Sequence, residues 1–353
     1  MAPTEVATGT MRAAILRGPR IIEIEERPRP SPKNGDVLVR VRAVGVCGSD
    51  VHGFEGLIPD RRKPGLIMGH EAAGEVAEIG PDSTKWRTGD RVAIDPQISC
   101  GACASCKRGW LHLCDNRLNL GSTMNAWYDG ALCEYIVMPE NQLHALPENV
   151  GFGQGAVVEP ASCAVHIFNR GLMEVGSTAA VIGTGSIGLI AVQVAKAMGV
   201  SKLIAVDKSK KRLDLAAGFG ADLLINSAEE DPVERILAET GGRGVDTVAE
   251  AAGLSLTYDW AVKSVRKRGT VLALGYVDEH VPIPMRSLIF REISLLGCTG
   301  FTFESDNVLE LMSGGRIDVK PILTHEFPFE EVQVAFETAA DPATGSIKVM
   351  IYL

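Results

Sequence analysis

The sequence predicts an α/β protein of two domains, a β-rich, barrel-like domain followed by a doubly wound parallel sheet. Two observations carry that prediction. Between Met11 and about Glu159, short β-rich runs are broken by Gly and Pro, and polar and apolar residues alternate as in half-buried strands. From about Ala161, strand-like runs alternate with helical runs of about 10–15 residues, the pattern of βαβ units. A third observation sets the scale: 353 residues are enough for two cores.

The elements follow in order. Residues 1–10 are small and polar with a single acid; they read as a disordered leader before a second possible start at Met11, and as neither a signal nor a transit peptide. The run 36–45 alternates as a strand should, and 75–80 and 90–95 are similar, with Gly89-Asp90 as a turn. In the second half a strand over 175–183 leads into a helix over 186–198, a strand over 202–207 and a helix over 210–218. Strands over 221–226, 245–250 and 269–275 continue the series, and 346–352 closes the chain as a strand that rejoins the first domain. Domains are therefore expected at 1–160, with a small lobe near 95–116, at 161–297, and at 298–353 as a return to the first.

Composition narrows the function. A net charge of −9 argues against nucleic acid and against anionic membrane surfaces as partners. No apolar run approaches the ~20 residues needed to span a bilayer. Of eight cysteines, four cluster while Cys47, Cys133, Cys163 and Cys298 are scattered, which suits a reducing cytoplasm. The clustered four are Cys100, Cys103, Cys106 and Cys114, spaced by two-residue gaps and then a longer one. Four thiolates converging on one tetrahedral ion are the shell of a structural zinc, closed to water and substrate; paired disulfides are the rival reading.

Gly183-Thr-Gly185-Ser186-Ile187-Gly188 lies between a predicted strand and a predicted helix, and Asp207 ends the next strand nineteen residues on. That context makes it a dinucleotide fingerprint: Gly183 for the tight turn, Gly185 for close approach of the pyrophosphate, Gly188 for helix–strand packing. The pyrophosphate would rest on the helix N-terminus, where free N–H groups favour an anion. A carboxylate at Asp207 would accept from the adenosine ribose and repel a 2′-phosphate, favouring NAD over NADP; the basic run Lys208, Lys210, Lys211 and Arg212 pulls the other way.

Three further fragments join these. Cys47-Gly-Ser49-Asp50-Val-His52 follows a strand, Gly69-His70-Glu71 follows a loop, and Glu159-Pro160 lies at the proposed domain boundary. Together with the cysteine lobe, the glycine fingerprint and Gly89-Asp90-Arg91-Val92, they resemble the zinc-dependent medium-chain alcohol dehydrogenase family from about residue 11 to 353. Glu159-Pro160, where simple alcohol dehydrogenases carry a Cys, resembles the polyol (sorbitol), threonine and butanediol dehydrogenase branch. The resemblance implies a GroES-like catalytic barrel with a Rossmann domain and a second, catalytic zinc held by Cys47, His70 and a carboxylate. Glu71 and Glu159 both stand as that carboxylate, directly or through water. It also implies Ser49 as the relay hydroxyl, His52 as the relay imidazole, Asp50 as the group that orients the His70 ring, and Arg212 as a support for the adenosine ribose.

The expected activity is reversible oxidation of a secondary alcohol, a vicinal diol or polyol above others, by hydride transfer to NAD at an open zinc site. The stretch 291–301, with Gly297-Cys-Thr-Gly300, is nearer the threonine dehydrogenase texture and tells against a long polyol. The alternatives are a 3-hydroxy amino acid or a cyclic or monofunctional alcohol as substrate, and, from another class, a dinucleotide-binding sensor or structural protein without catalysis. The apolar strand 293–297 at the end of the nucleotide-binding sheet suggests a homodimer or homotetramer.

Overall fold

The computed structural model describes residues 9–276, 278 and 280–353. Most of the leader read from the sequence, residues 1–8, lies outside the described residues; Thr10 already opens the first strand, so the leader reading overreached at its end. The chain forms two compact units. One comprises the residues up to Glu159 with Ser305–Ser313 and Ile322–Leu353, the other Pro160–Glu304 with Gly314–Pro321.

In the first unit, β1 (Thr10–Gly18) and β2 (Ile21–Pro28) form an antiparallel hairpin. Strands β3 (Asp36–Gly45), β4 (Glu71–Ile79) and β5 (Arg91–Ile94) follow as antiparallel neighbours. A short ribbon of β6 (Gln97–Ile98) and β7 (Leu118–Asn119) flanks the cysteine lobe, β8 (Tyr135–Pro139) pairs with β3, and β9 (Leu143–Ala145) pairs with β5. The second unit carries β10 (Thr178–Ile182), β11 (Lys202–Asp207), β12 (Leu223–Asn226), β13 (Val245–Glu250), β14 (Val265–Ala273) and β15 (Ser294–Gly297). They form one parallel sheet in the order β12-β11-β10-β13-β14-β15. That is the doubly wound dinucleotide-binding order, and its strand order reverses between β10 and β13. Back in the first unit, β16 (Leu323–Pro328) and β17 (Lys348–Tyr352) complete a seven-stranded sheet ordered β16-β17-β3-β4-β5-β9, with β8 on β3. The fold class read from the sequence is the one observed.

Two strands start earlier than the sequence indicates, for identifiable reasons. β4 begins at Glu71, not near residue 75, because the small residues Ala72 and Ala73 pair with Val44 and Ala43 of β3. β14 begins at Val265, not near residue 269; the run Arg266-Lys267-Arg268 masks it, and Arg268 takes a left-handed φ of 55°. Each unit has its own core. Ile15, Val39, Val44, Phe54, Leu66, Met68, Leu132 and Met138 pack in the first, and Ile182, Ile204, Val206, Ile225, Val248 and Val271 in the second. Among the described residues, no helix is long and apolar enough to cross a membrane.

Candidate active site

The first unit gathers Cys47, His70 and Glu71 so that one ligand atom from each lies within 4.8 Å of the others. Cys47 is the N-cap of the helix Gly48–Phe54, and His70 immediately precedes β4. Glu71 opens β4 opposite Gly45 of β3 and can sit there because position 45 has no side chain: a Cβ would fall 2.3 Å from Glu71 Oε2. The terminal strand adds a residue that sequence reasoning missed. Lys348 Nζ donates to both Glu71 oxygens, at 2.8 and 2.7 Å, and to the Val46 carbonyl at 3.2 Å. Both partners are buried, and the lysine arrives because Val46 N–H donates to Val349 O where β17 joins β3. Its signal was a lone lysine in the apolar run 347–352.

Asp50 lies fully buried in the first turn of the same helix. Its Oδ2 accepts from Cys47 N–H at 3.3 Å and lies 3.3 Å from His70 Nδ1, while Oδ1 accepts from Arg62 Nη2 at 3.2 Å. Burial works to raise the Asp50 carboxyl, yet His70, Arg62 and the Cys47 N–H hold it well below the usual carboxylate range. Ser49 and His52, on the same helix, are partly buried. Glu159 opens the helix Val158–Arg170 and stands outside the close trio, yet it is near enough to feel its charges. Burial pushes it up to about 7, with Glu71 and Asp50 adding and His70 and Lys348 opposing. Burial also raises Asp95 to about 7, with Glu159 adding.

This donor set fits a divalent metal. A thiolate, an imidazole and a carboxylate are zinc ligands of the open, catalytic kind. The upward push on Glu159 comes from its burial, which outweighs the charges around it.

In the lobe, one sulfur from each of Cys100, Cys103, Cys106 and Cys114 lies within 4.8 Å of the others. Backbone N–H groups aim at these sulfurs: Cys100 N and Asn116 N reach Cys114 Sγ at 3.3 Å, and Cys106 N reaches Cys103 Sγ at 3.5 Å. Such bonds favour thiolates, and backbone N–H donation lowers Cys100 to about 6 and also lowers Cys103. The set fits a closed four-sulfur metal shell.

The second unit places the glycine fingerprint between β10 and the helix Ser186–Ala197. Gly183 has φ 90°, and a Cβ on Gly188 would fall 1.9 Å from Gly183 O, so only glycine allows the helix to pack there. A Cβ on Gly185 would meet nothing within 4 Å, leaving open space at the helix start. Gly185 caps that helix without a side-chain bond, and the buried hydroxyls of Thr184 and Ser186 lack partners among the described residues. Free first-turn N–H groups and unpaired hydroxyls form a cradle for a pyrophosphate, with Ile187 in the same turn. Asp207 ends β11; its oxygens accept from Thr184 N–H at 2.8 Å and Ser209 N–H at 2.9 Å. Arg212 lies in the first turn of the helix Lys210–Gly218, its N–H 3.5 Å from Ser209 Oγ.

Comparison with known proteins places these sites in context. Residues 33–148 match the alcohol dehydrogenase GroES-like domain, and residues 186–314 match the zinc-binding dehydrogenase family. The chain is 34% identical to a sorbitol dehydrogenase of Bacillus subtilis, over 99% of each chain. It is 35% identical to an L-threonine 3-dehydrogenase of Bacillus licheniformis, over 96% of this chain and 98% of that one. Among solved structures, an Escherichia coli oxidoreductase of unknown specificity superposes with a TM-score of 0.93 at 34% identity, covering 98% of this chain and 99% of that one. A zinc-binding dehydrogenase of Sinorhizobium meliloti bound to NADP gives 0.90 at 30% identity, covering 98% and 100%. An Escherichia coli alcohol dehydrogenase complexed with NADH gives 0.90 at 29% identity, covering 98% and 99%.

Proposed function

The chain belongs to the zinc-dependent medium-chain alcohol dehydrogenase family, in its polyol and threonine dehydrogenase branch, and we propose that it reversibly oxidises a secondary alcohol, a vicinal diol or polyol first, with NAD. The observation that carries this is the trio Cys47, His70 and Glu71 with Ser49 two residues from the thiolate. In this reading Cys47, His70 and Glu71 hold the catalytic zinc, Glu159 approaches it through water, and the four lobe cysteines hold a second, structural zinc. When bound, the catalytic zinc supplies Lewis-acid polarisation at the substrate oxygen, and the nicotinamide supplies the hydride acceptor.

The chain's own residues do the rest. Lys348 balances the buried Glu71 charge and fixes that carboxylate. Asp50 orients the His70 ring through Nδ1, leaving Nε2 for the metal. Ser49 takes the proton leaving the alcohol and passes it towards His52, which releases it to solvent. Asp207, held in place by two backbone N–H groups, favours a free ribose over a 2′-phosphate and therefore NAD. A cytoplasmic setting keeps the thiolates available to metal.

A second substrate reading has an observation of its own. The relative named as an L-threonine 3-dehydrogenase is as similar as the sorbitol dehydrogenase, which keeps a 3-hydroxy amino acid in view. The test is oxidation of vicinal diols, polyols, threonine and simple secondary alcohols with NAD and with NADP, alongside metal analysis. Turnover of diols or polyols with NAD, at two zinc per chain, is expected. Turnover confined to threonine moves the assignment to the second reading, and no turnover of any alcohol overturns both.

A further inference from the structure

Arg62 is a charged side chain that the mechanism above leaves without a task. It is 6% exposed, and a buried guanidinium costs several kcal/mol unless it is well partnered. Its stem fits because residue 53 is glycine: a Cβ there would stand 2.3 Å from Arg62 Cγ and 2.8 Å from Arg62 Cβ. The guanidinium reaches back to the helix that carries the relay. Nη2 donates to Asp50 Oδ1 at 3.2 Å and approaches Ser49 Oγ at 3.5 Å; Nη1 donates to the Arg61 carbonyl at 3.3 Å. The other Asp50 oxygen faces Cys47 N–H and His70 Nδ1, each at 3.3 Å. One nitrogen therefore touches both the carboxylate that faces a ligand ring and the hydroxyl assigned to proton transfer.

We propose that Arg62 is a positioning residue of the catalytic centre, locking Asp50 against His70 and turning the Ser49 hydroxyl outward from a single guanidinium nitrogen. A carboxylate gripped at one oxygen only can rotate about its last torsion, which is soft. Arg62 on Oδ1 removes that freedom, so Oδ2 stays on the imidazole. A guanidinium has no acceptor, so Ser49 Oγ can only accept from it, and the serine proton points away. A lysine ammonium is a point donor on a flexible stem and cannot hold both groups in one plane.

The inference rests on the reading of Cys47, His70 and Glu71 as the zinc site, and the experiment separates the two. Arg62→Lys and Arg62→Gln are made in the full-length enzyme, each also combined with Asp50→Asn. Three quantities are read: the absorption spectrum after cobalt(II) exchange, the rate of metal loss to a chelator, and kcat with KM. Both single variants should alter the cobalt spectrum, release the catalytic metal about 10–100-fold faster, and lower kcat by a similar factor with KM little changed. In the Asp50→Asn background the effect on metal release should vanish, because Arg62 acts there through Asp50. An unchanged spectrum and release rate in Arg62→Gln overturns the proposal, as does an equal effect in both backgrounds, which marks mere packing. Should Arg62→Gln fail to fold, Arg62→Lys keeps the charge and gives the same readouts. If the wild type oxidises no alcohol, the functional reading fails while the cobalt spectrum and metal release still decide on Arg62.

Discussion

At Gly45 an added Cβ would lie 2.3 Å from Glu71 Oε2 and 3.3 Å from Glu71 Cβ, so any side chain there must displace either the carboxylate or the β3–β4 pairing. Gly45→Ala is therefore expected to cost about 1–3 kcal/mol as overpacking and to speed zinc loss, read by melting and by metal content after chelator dialysis. Retained zinc with unchanged melting would show that Glu71 has room to move. Lys348→Met tests the same seat from the other side. It leaves a buried charge unbalanced, at a cost of about 3–5 kcal/mol in the apoprotein, and adding Glu71→Gln should restore much of that. A double variant no more stable than the single would refute the pairing. What was legible here follows from distance along the chain. Cys47, Ser49, Asp50, His70 and Glu71 sit in two short motifs whose spacing suggests ligands. Lys348 meets Glu71 across 277 residues, and Arg62 meets Asp50 across a loop of no regular pattern.

Pairs of strands in the nucleotide-binding unit are tied by side chains as well as by ladder bonds. Asp246 of β13 accepts from Thr178 N–H at 2.8 Å and Thr178 Oγ at 2.6 Å on β10, and it also pairs with Arg266 of β14. Burial opposes the Asp246 charge, but Thr178 and Arg266 lower its carboxyl to about 2. Because the folded value is depressed, the stabilisation is complete above the ordinary value near 3.8 and is lost as pH falls towards about 2. Asp246→Asn should cost about 1–2 kcal/mol at neutral pH, less than the full shift implies because the site is partly wet, with the gap narrowing below about pH 4. Melts of both proteins between neutral and acid pH check this; a gap that stays constant would rule out the charge as its source. The sequence revealed β13 to the residue but mislaid the start of β14, because a strand that opens on Val265 and runs straight into Arg266, Lys267 and Arg268 looks like a loop. Only pairing with β13 shows that Val265 belongs to it.

For the molecule as a whole, the open question of assembly turns on one edge. β15 ends the six-stranded sheet and pairs with β14 alone, so among the described residues its outer edge carries no partner strand. The helix Met285–Phe290, which leads towards it, exposes Met285 at 54%, Ile289 at 63% and Phe290 at 75%. An open edge beside apolar side chains is a site for pairing with a second copy, since two-fold related strands can continue one sheet and bury such residues together. The strand order that creates this edge was foreseeable from alternating strands and helices with a fingerprint after the first strand. Which side chains would flank the edge was not, because that depends on where the short helix packs. We expect the wild type to sediment as a dimer or tetramer. Phe290→Asp places a charge among the exposed apolar side chains and Leu296→Lys places one on the edge strand itself; each should shift the species towards monomer. Phe290 is mostly exposed in the single chain, so its variant should still fold, and any fall in melting temperature should follow the loss of association. Sedimentation velocity decides the matter: a monomeric wild type would refute the assembly, and variants that sediment like the wild type would move the interface away from β15.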